Sequence, residues 1–221
     1  ELPKGRLTAV TGVSGSGKTT LVLESLIPAL RHAIEGEPLP GHIRGLDAGG
    51  NGRVNITDTT PIGSNVRSTV ATYSGVLDDL RRLYANTEEG KRRGYKVADF
   101  SYNTGSLRCP TCDGTGQITM DVQFLPDVDL PCPDCGGARY ATGAERILWH
   151  PTGGGEGLSL PALMGLTVTE ALEKLAEGKK VRQRLQTLSD LGLGYLTLGE
   201  ATPVLSGGEA QRLKLAAEMG K

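Results

Sequence analysis

The chain has 221 residues, of which 38% are hydrophobic and 22% charged. That length is enough to bury a core, as one large domain or as a domain with an insert. Its 24 Lys and Arg residues against 25 Asp and Glu residues give a net charge of -1, so nucleic-acid binding would need a local basic patch. No apolar run approaches the ~20 residues of a membrane span, and no signal peptide is recognisable, so we expect a cytoplasmic protein.

The N-terminal part of the chain predicts two strands and one helix. Residues 6–11, RLTAVT, have the pattern of a buried strand, and residues 21–30 that of an apolar helix with Pro28 near its end. Residues 36–66 are rich in Gly, Pro, Asn, Asp and Thr. They predict loops around one short strand, Val54–Thr57.

The rest of the chain carries helical patterns. Residues 69–84 predict one helix with an apolar face. That face comprises Tyr73, Val76, Leu77, Leu80 and Tyr84. Thr167 and Glu170 form a capping-box pattern for a helix that runs to about Gly178. A further helix is predicted to end at Gly192. Its inward residues are Val181, Leu185 and Leu188.

Residues 12–19, GVSGSGKT, fit the phosphate-binding pattern GxxxxGK[ST]. Glycines let backbone N–H groups turn towards an anion, and the helix that follows presents its positive end to it. Lys18 adds a positive charge, and the Thr19 hydroxyl can ligate Mg²⁺. A chance Gly/Ser turn is the alternative. The candidate phosphate-binding residues are Gly12, Ser14, Gly15, Ser16, Gly17, Lys18, Thr19 and Thr20.

Residues 205–212, LSGGEAQR, resemble the signature motif of ABC-type ATPases. Ser206 can cap a helix with Glu209 as its capping-box partner. Gly207 and Gly208 leave the helix N-terminus bare, so its N–H groups can meet a γ-phosphate. In ABC-type ATPases that phosphate belongs to the facing module. An ordinary capped helix would share the pattern.

In ABC-type ATPases a strand ending in Asp-Glu follows the signature helix and supplies the Mg²⁺ and water-activating carboxylates. Here only Leu213–Lys221 follow the motif, and VNITD, which ends at Asp58, precedes it and continues with Thr59. We therefore expect a fragment of a longer ATPase that holds nucleotide weakly and hydrolyses it poorly, without a catalytic residue of its own.

The four cysteines form two CxxC pairs, CPTCDGTG at residues 109–116 and CPDCGGAR at residues 132–139. Two such turns, here called knuckles, can direct four thiolates at one Zn²⁺ ion, a closed structural site. The predicted ligands are Cys109, Cys112, Cys132 and Cys135. The segment between the pairs alternates around Ile118, Met120, Val122 and Phe124, which predicts a β-hairpin.

Two redox-active pairs are the rival interpretation of the cysteines, but no thioredoxin-like βαβ pattern surrounds them. The histidines, His32, His42 and His150, lie outside the motif and are interpreted as surface or packing residues. Residues 81–108 carry a net charge of +4. A phosphate-contacting patch and a solvated helix face would both have that composition.

The combination of these motifs resembles the UvrA family, the damage-recognition ATPases of bacterial nucleotide excision repair. The resemblance extends over TAVTGVSGSGKTTL, TPIGSNVRSTVATYSGVLDDLRRLYA, RGYKVADFSYN, FLPDVDLPCPDCGGARY and LGLGYLTLGEATPVLSGGEAQRLKLA. It implies an α/β fold: a P-loop ABC-type ATPase core, a mostly helical signature subdomain and an inserted four-cysteine zinc β-hairpin module. We assign these to residues 1–66, 67–198 with the zinc module at about 105–143, and 199–221 for the signature motif and its helix.

The resemblance also implies ATP with Mg²⁺ at Gly12–Thr20, and the ATP of a facing module at Ser206, Gly207, Gly208 and Glu209. It implies a homodimer, duplex DNA and a UvrB-like partner. The candidate DNA-phosphate contacts are Arg67, Lys91, Arg92, Arg93 and Lys96. Contacts of this kind give affinity without sequence preference.

One departure is Thr59, where the family has Gln in Asp-Gln-Ser-Pro-Ile-Gly and this chain has DTTPIG. It favours the alternative of a UvrA-like protein that gives resistance to DNA-binding drugs. A chaperone-type CxxCxGxG module would have more than two pairs and no P-loop. A transporter ATPase subunit would not need the cysteine insert.

Overall fold

The computed structural model describes residues 2–3, 5–58, 60–120, 128–151, 155–175 and 178–220. These form two compact units, Glu1–Ile56 and Thr57–Lys221. No helix in the described part of the chain has the length and apolar character of a membrane span. Thr59, and Val122 and Phe124 of the predicted hairpin, lie outside the described residues.

The first unit contains one helical segment, a π-helical stretch Thr20–Leu26 continued by α1, Ile27–Glu35. Pro28 lies where the π-helical stretch passes into α1, and because it has no N–H it cannot donate to a carbonyl of the preceding turn. Gly36 ends α1 with a left-handed φ of 74°. Among the described residues of this unit, Ala29 alone is buried, so the predicted helix is present with most of its surface exposed.

Neither strand predicted for the N-terminal part is present. Residues 6–11 and Val54–Thr57 are irregular, and Leu7 is fully exposed. A strand needs a neighbour to complete its backbone hydrogen bonds. No described strand or isolated bridge pairs with either stretch. The residue pattern of these two stretches predicted strands, but neither stretch has a described strand to pair with.

The second unit is mostly helical. Its helices are α2 Val70–Tyr73, α3 Val76–Ala85, α4 Glu88–Arg92, α5 Thr142–Glu145, α6 Leu160–Met164, α7 Val168–Lys174, α8 Lys179–Asp190 and α9 Gly207–Met219. Short 3-10 helices lie at Val97–Phe100 and Thr202–Val204. Strands β1 Gln117–Met120 and β2 Val128–Pro131 form an antiparallel hairpin, as do β3 Leu148–Trp149 and β4 Leu158–Ser159.

The predicted helix over residues 69–84 is divided into α2 and α3. Gly75 takes a left-handed φ of 76° between them. The break exposes the Ser74 carbonyl to Arg184, which donates to it over 2.9 Å. A Cβ on Gly75 would lie 2.9 Å from Arg184 Nη1, so the turn and this contact require glycine. Most of the predicted apolar face is nevertheless correct. Val76, Leu77, Leu80 and Tyr84 are buried, and Tyr73 is half-buried.

The core of the second unit lies between α3, α7, α8 and α9. The three inward residues predicted for α8 are buried. Thr167 and Glu170 form the predicted capping box of α7. The largest fully buried side chains are Tyr84, Tyr102, Phe100, Leu80, Ile147, Leu160, Leu163, Leu175, Leu185, Leu188, Leu193 and Leu198. These contacts make a scaffold that carries the cysteine hairpin and the LSGGE helix.

Asp79 of α3 is a buried carboxylate that binds Arg184 of α8 and Arg82, each over 3.0 Å. Replacing Asp79 with Ala leaves Arg184 without its acid partner, and we expect a loss of about 2–3 kcal/mol in the free energy of unfolding. The exposed neighbour Asp78 pairs only locally with Arg81, so Asp78→Ala serves as control and should cost less than about 0.5 kcal/mol. Equal losses in urea unfolding of the two variants would contradict this.

Candidate functional site

The four cysteines converge on one point. Their sulfur atoms all lie within 4.8 Å of one another. The Sγ separation is 3.9 Å between Cys109 and Cys132 and 3.7 Å between Cys112 and Cys135. A disulfide would need about 2.05 Å, and all four thiols are free. Four sulfurs at about 2.3 Å from a tetrahedral Zn²⁺ ion stand about 3.8 Å apart, which matches these two separations, and the separations of up to 4.8 Å would close slightly around an ion.

The two knuckles make equivalent backbone hydrogen bonds to each other. The Cys109 N–H donates to the Arg139 carbonyl over 2.9 Å, and the Cys132 N–H donates to the Gly116 carbonyl over 3.0 Å. The first cysteine of each knuckle is thus hydrogen-bonded to the last residue of the other knuckle. Left-handed backbone occurs at matching positions, with φ of 80° at Gly116 and 70° at Arg139. These turns aim both sulfurs of a pair inward, and neither knuckle closes without its partner.

The protein environment shifts the pKa values of three of the four cysteine thiols, and not all in the same direction. Burial raises the pKa of Cys109 and raises that of Cys135 to about 12. At Cys112 burial acts in the same direction, but it is outweighed by hydrogen bonds, first from the Gly116 N–H, which lower its pKa to about 7. One thiolate is therefore accessible near neutral pH. A bound cation would favour deprotonation of the others.

The hairpin that joins the knuckles runs outward from the cluster. In β1 and β2, Gln117 pairs with Pro131 and Met120 with Val128. Met120, Val128 and Leu130 are exposed apolar side chains, while Ile118 packs against the cysteines. The predicted hairpin is confirmed for these strands. Its base is fixed by the cysteines and its two faces remain solvent-exposed.

Two contacts attach the first knuckle to the rest of the unit. Arg67 donates to the Asp113 carbonyl over 2.5 Å and to its carboxylate over 2.9 Å, and Arg108 binds the second carboxylate oxygen over 2.9 Å. Gly114 sits against Tyr102, since an added Cβ would lie 1.8 Å from the Tyr102 carbonyl oxygen. The knuckle is therefore joined to the body by charge and by close packing.

The phosphate-loop residues form a compact turn in the first unit. Lys18 Nζ donates to the Val13 carbonyl over 2.7 Å and to Ser16 Oγ over 3.3 Å. Gly15 and Gly17 have left-handed φ values of 80° and 81°. The loop leads directly into the helical stretch that starts at Thr20. Left-handed glycines of this kind allow backbone N–H groups to turn towards an anion, and phosphate binding at this loop stays a prediction.

The LSGGE residues form the N-terminus of α9. Ser206 Oγ accepts from the Glu209 N–H over 3.4 Å, and the Ser206 N–H donates to Glu209 Oε2 over 2.6 Å. Added Cβ atoms at Gly207 and Gly208 would meet nothing within 4 Å, so the helix end is open to solvent. The predicted capping box is confirmed. Its packing also satisfies the plainer interpretation, an ordinary capped helix, because Ala210 and Leu213 are buried.

Three contacts at these sites escaped sequence reasoning. The Tyr195 hydroxyl donates to Glu209 and, with the capping bonds from Ser206, lowers the pKa of that carboxyl. Lys214 of α9 binds Asp58, 156 residues away in sequence. Arg139 is buried beside the cysteines. The two pairs, Tyr195 with Glu209 and Lys214 with Asp58, have no spacing that a local pattern could reveal, and no pattern in the sequence indicates that Arg139 is buried.

The predicted DNA contacts occupy different settings. Arg67 is engaged with Asp113, as described above. Arg92 and Arg93 both pair with Glu89, one helical turn back. In the described part of the chain, no ion pair involves Lys91. The role of these residues in binding DNA stays a prediction.

Comparison with known proteins gives a consistent result. No protein-family model matches the sequence. The whole chain aligns with UvrABC system protein A of Bacillus subtilis at 45% identity over 225 residues, or 23% of that protein, and with that of Synechocystis sp. at 43% over 224 residues, or 22%. A crystal structure of UvrA2 from Deinococcus radiodurans matches with a TM-score of 0.75 at 40% identity, covering 93% of this chain and 24% of that one. The chain spans about a quarter of the length of these relatives.

The glycine-rich loop and the LSGGE helix are the two motifs of ABC-type ATPases in this chain, and the structural match supports that fold. Over its whole length the chain is 42–45% identical to UvrABC system proteins A, of which it covers about a quarter. The chain is thus similar to a segment of the UvrA family.

The thiolate cluster predicts that purified protein holds about one zinc ion per chain. Cys132→Ala removes a buried ligand, so the variant should lose most of its zinc and unfold at lower temperature. His150→Ala, which removes a potential ligand outside the cluster, is the control and should retain zinc. Metal content by mass spectrometry and thermal unfolding test both variants, and full zinc occupancy in Cys132→Ala would be inconsistent with the site.

Lys214 and Thr60 lower the pKa of Asp58 from its ordinary 3.8 to about 2 by hydrogen bonding. A depressed carboxyl stabilises the folded state above its unfolded pKa, and this contribution disappears as the pH falls through about 2. We expect Lys214→Met to return the Asp58 pKa towards 3.8 in a carboxyl NMR titration. Lys174→Met should leave it unchanged. An unaltered Asp58 pKa in the Lys214 variant would refute the contact.

Proposed function

We propose that the chain is part of an ABC-type ATPase that binds duplex DNA and recognises damage in bacterial nucleotide excision repair. The observation that carries this proposal is sequence identity of 42–45% to UvrABC system proteins A, sustained over the whole chain. The excision-repair role is what that name describes in the relatives. The convergent cysteines and the open LSGGE helix support the assignment independently of overall identity.

The nucleotide role divides between two motifs. Gly12–Thr20 would hold the phosphates of ATP, with Lys18 supplying charge and Thr19 a hydroxyl ligand for Mg²⁺. Within Ser206–Glu209, Gly207 and Gly208 would present their N–H groups to the ATP of a second copy in a homodimer. The capping box supports this, because Glu209 fixes the first turn while Gly207 and Gly208 keep the end unobstructed.

The zinc role is structural. Four cysteine ligands leave no coordination position for water or substrate, so the metal would hold the two knuckles together and keep the hairpin rigid. The exchanged backbone hydrogen bonds between the knuckles orient the sulfurs for this purpose. We propose that a UvrB-like protein is the partner that receives damaged DNA, and that the protein acts in the cytoplasm.

The DNA role rests on the basic residues of α4 and the turn after it. Lys91 is the clearest candidate, since Arg92 and Arg93 already share Glu89. Arg67 and Lys96 complete the proposed set. Contacts to phosphates would hold DNA without reading its sequence. Discrimination of damaged DNA would then depend on how easily the duplex deforms.

Binding of fluorescent duplexes, with and without one lesion and with and without ATP, tests this function. Lys91→Gln should weaken binding to all duplexes alike and reduce the salt dependence by about one counterion. Lys174→Gln, an exposed lysine on α7 outside the proposed set, is the control. Failure of the unaltered protein to bind any duplex, whether or not ATP is supplied, would overturn the DNA-binding function.

A second candidate is a UvrA-like protein that protects its host from DNA-binding drugs. It is favoured by Thr59, which replaces the family's Gln between Asp58 and Thr60. Adding drug-loaded duplexes to this binding experiment separates the two functions. Preference for drug-loaded over lesion-bearing duplexes supports the drug-resistance role, and the opposite preference supports repair.

A further inference from the structure

Arg139 is a buried arginine that lacks a carboxylate partner in the described part of the chain. It is 7% exposed, and none of the ion pairs described there includes it. Arginine remains charged in proteins, and a buried charge is costly unless a neighbouring charge or polar group compensates it. The source of that compensation therefore has to be found nearby.

The direct contacts of the guanidinium are all with neutral groups. Nη1 donates to the Val66 carbonyl over 3.0 Å and to the Gly114 carbonyl over 3.4 Å. The guanidinium carbon lies 5.3 Å from the centre of the Tyr102 ring. These contacts orient the side chain and satisfy part of its hydrogen bonding. They leave a full positive charge next to the first knuckle, to which Gly114 belongs.

The cysteine cluster is a source of negative charge beside Arg139. The Cys109 N–H donates to the Arg139 carbonyl over 2.9 Å, and Gly114, whose carbonyl accepts from Nη1, lies two residues after Cys112. Four thiolates around a divalent cation leave an excess of about two negative charges. That excess is itself partly buried and needs a counter-charge.

We propose that Arg139 is the counter-cation of the metal-thiolate cluster, a positioning residue whose charge offsets the excess negative charge and strengthens metal binding. Outer groups of this kind commonly set the affinity of a metal site. The inference rests on the proposed metal at the four cysteines. It adds a residue that is not a ligand and lies four positions after the last of them.

The local geometry allows one such cation and places it at Arg139. Gly116 is the equivalent residue of the first knuckle, and an added Cβ there would lie 2.8 Å from the Gly137 carbonyl oxygen and 3.1 Å from Arg139 Cγ. A second long side chain at that position has no room. Arg67 and Arg108 are also close, but both are paired with Asp113. Among the described residues next to the knuckles, Arg139 is thus the cation without an acidic partner.

Two substitutions separate charge from hydrogen bonding. Arg139→Gln keeps an amide donor for the Val66 and Gly114 carbonyls but removes the charge. Arg139→Lys keeps the charge but loses the planar guanidinium. Zinc affinity is measured by competition with a chromophoric chelator, and Co²⁺ absorbance verifies four-thiolate coordination. Arg146→Gln, an exposed arginine seven residues further on, controls for loss of a surface charge.

Arg139→Gln is expected to weaken zinc binding by about 10- to 100-fold, whereas Arg139→Lys and Arg146→Gln stay within about threefold of the unaltered protein. Equal affinities for the Gln and Lys variants would overturn the proposal. If Arg139→Gln does not fold, Arg139→Lys decides alone, since a loss of about tenfold or more with charge retained would refute a charge-based role. Absence of zinc from the unaltered protein would remove the metal assignment, and the counter-cation with it.

Discussion

The reciprocal closure of the two cysteine knuckles is the constraint on which the candidate metal site depends. Cys109 bonds to the end of the second knuckle, and Cys132 bonds to the end of the first. Because each half is completed by the other, four sulfurs converge at the base of the β1–β2 hairpin. The knuckles are then joined to the helical body at Asp113, through its ion pairs, and at Gly114, through its contact with Tyr102. These contacts hold the cysteine cluster in a fixed position on the helical part of the second unit.

Polar contacts between distant residues also join the elements of the second unit to one another. Arg184 joins α8 to α3 through Asp79 and to the break before α3 through the Ser74 carbonyl. The hydroxyl of Tyr102 lies 3.0 Å from Thr69 Oγ1 and donates to the Arg67 carbonyl. Both fix turns that helix propensity alone would not specify. The apolar core supplies most of the stabilisation, and these bonds determine where helices stop and how they meet.

α9 has one face packed in the core and an N-terminus that is open to solvent. Its buried residues pack into the core, while its first turn is held by Ser206 and Glu209 and remains accessible. Tyr195 adds a hydrogen bond to Glu209, and Lys214, two turns on, fastens the turn at Asp58 and Thr60. Rigid support beneath a bare helix end is what presentation of N–H groups to an anion requires.

The sequence by itself determined the features that depend on local spacing: the glycine-rich loop, the capping boxes at Thr167 and Ser206, the inward face of α8 and the two CxxC turns. It failed where an outcome depends on a neighbour. The stretch at residues 6–11 has a strand pattern but no described partner, and Gly75 divides a continuous helical pattern because Arg184 occupies the break. The two CxxC turns also predicted that four sulfurs meet at one point, which their convergence confirms. Only the tertiary structure decided that Arg139 lies buried beside them. Residues distant in the chain become neighbours through packing, which no local period encodes.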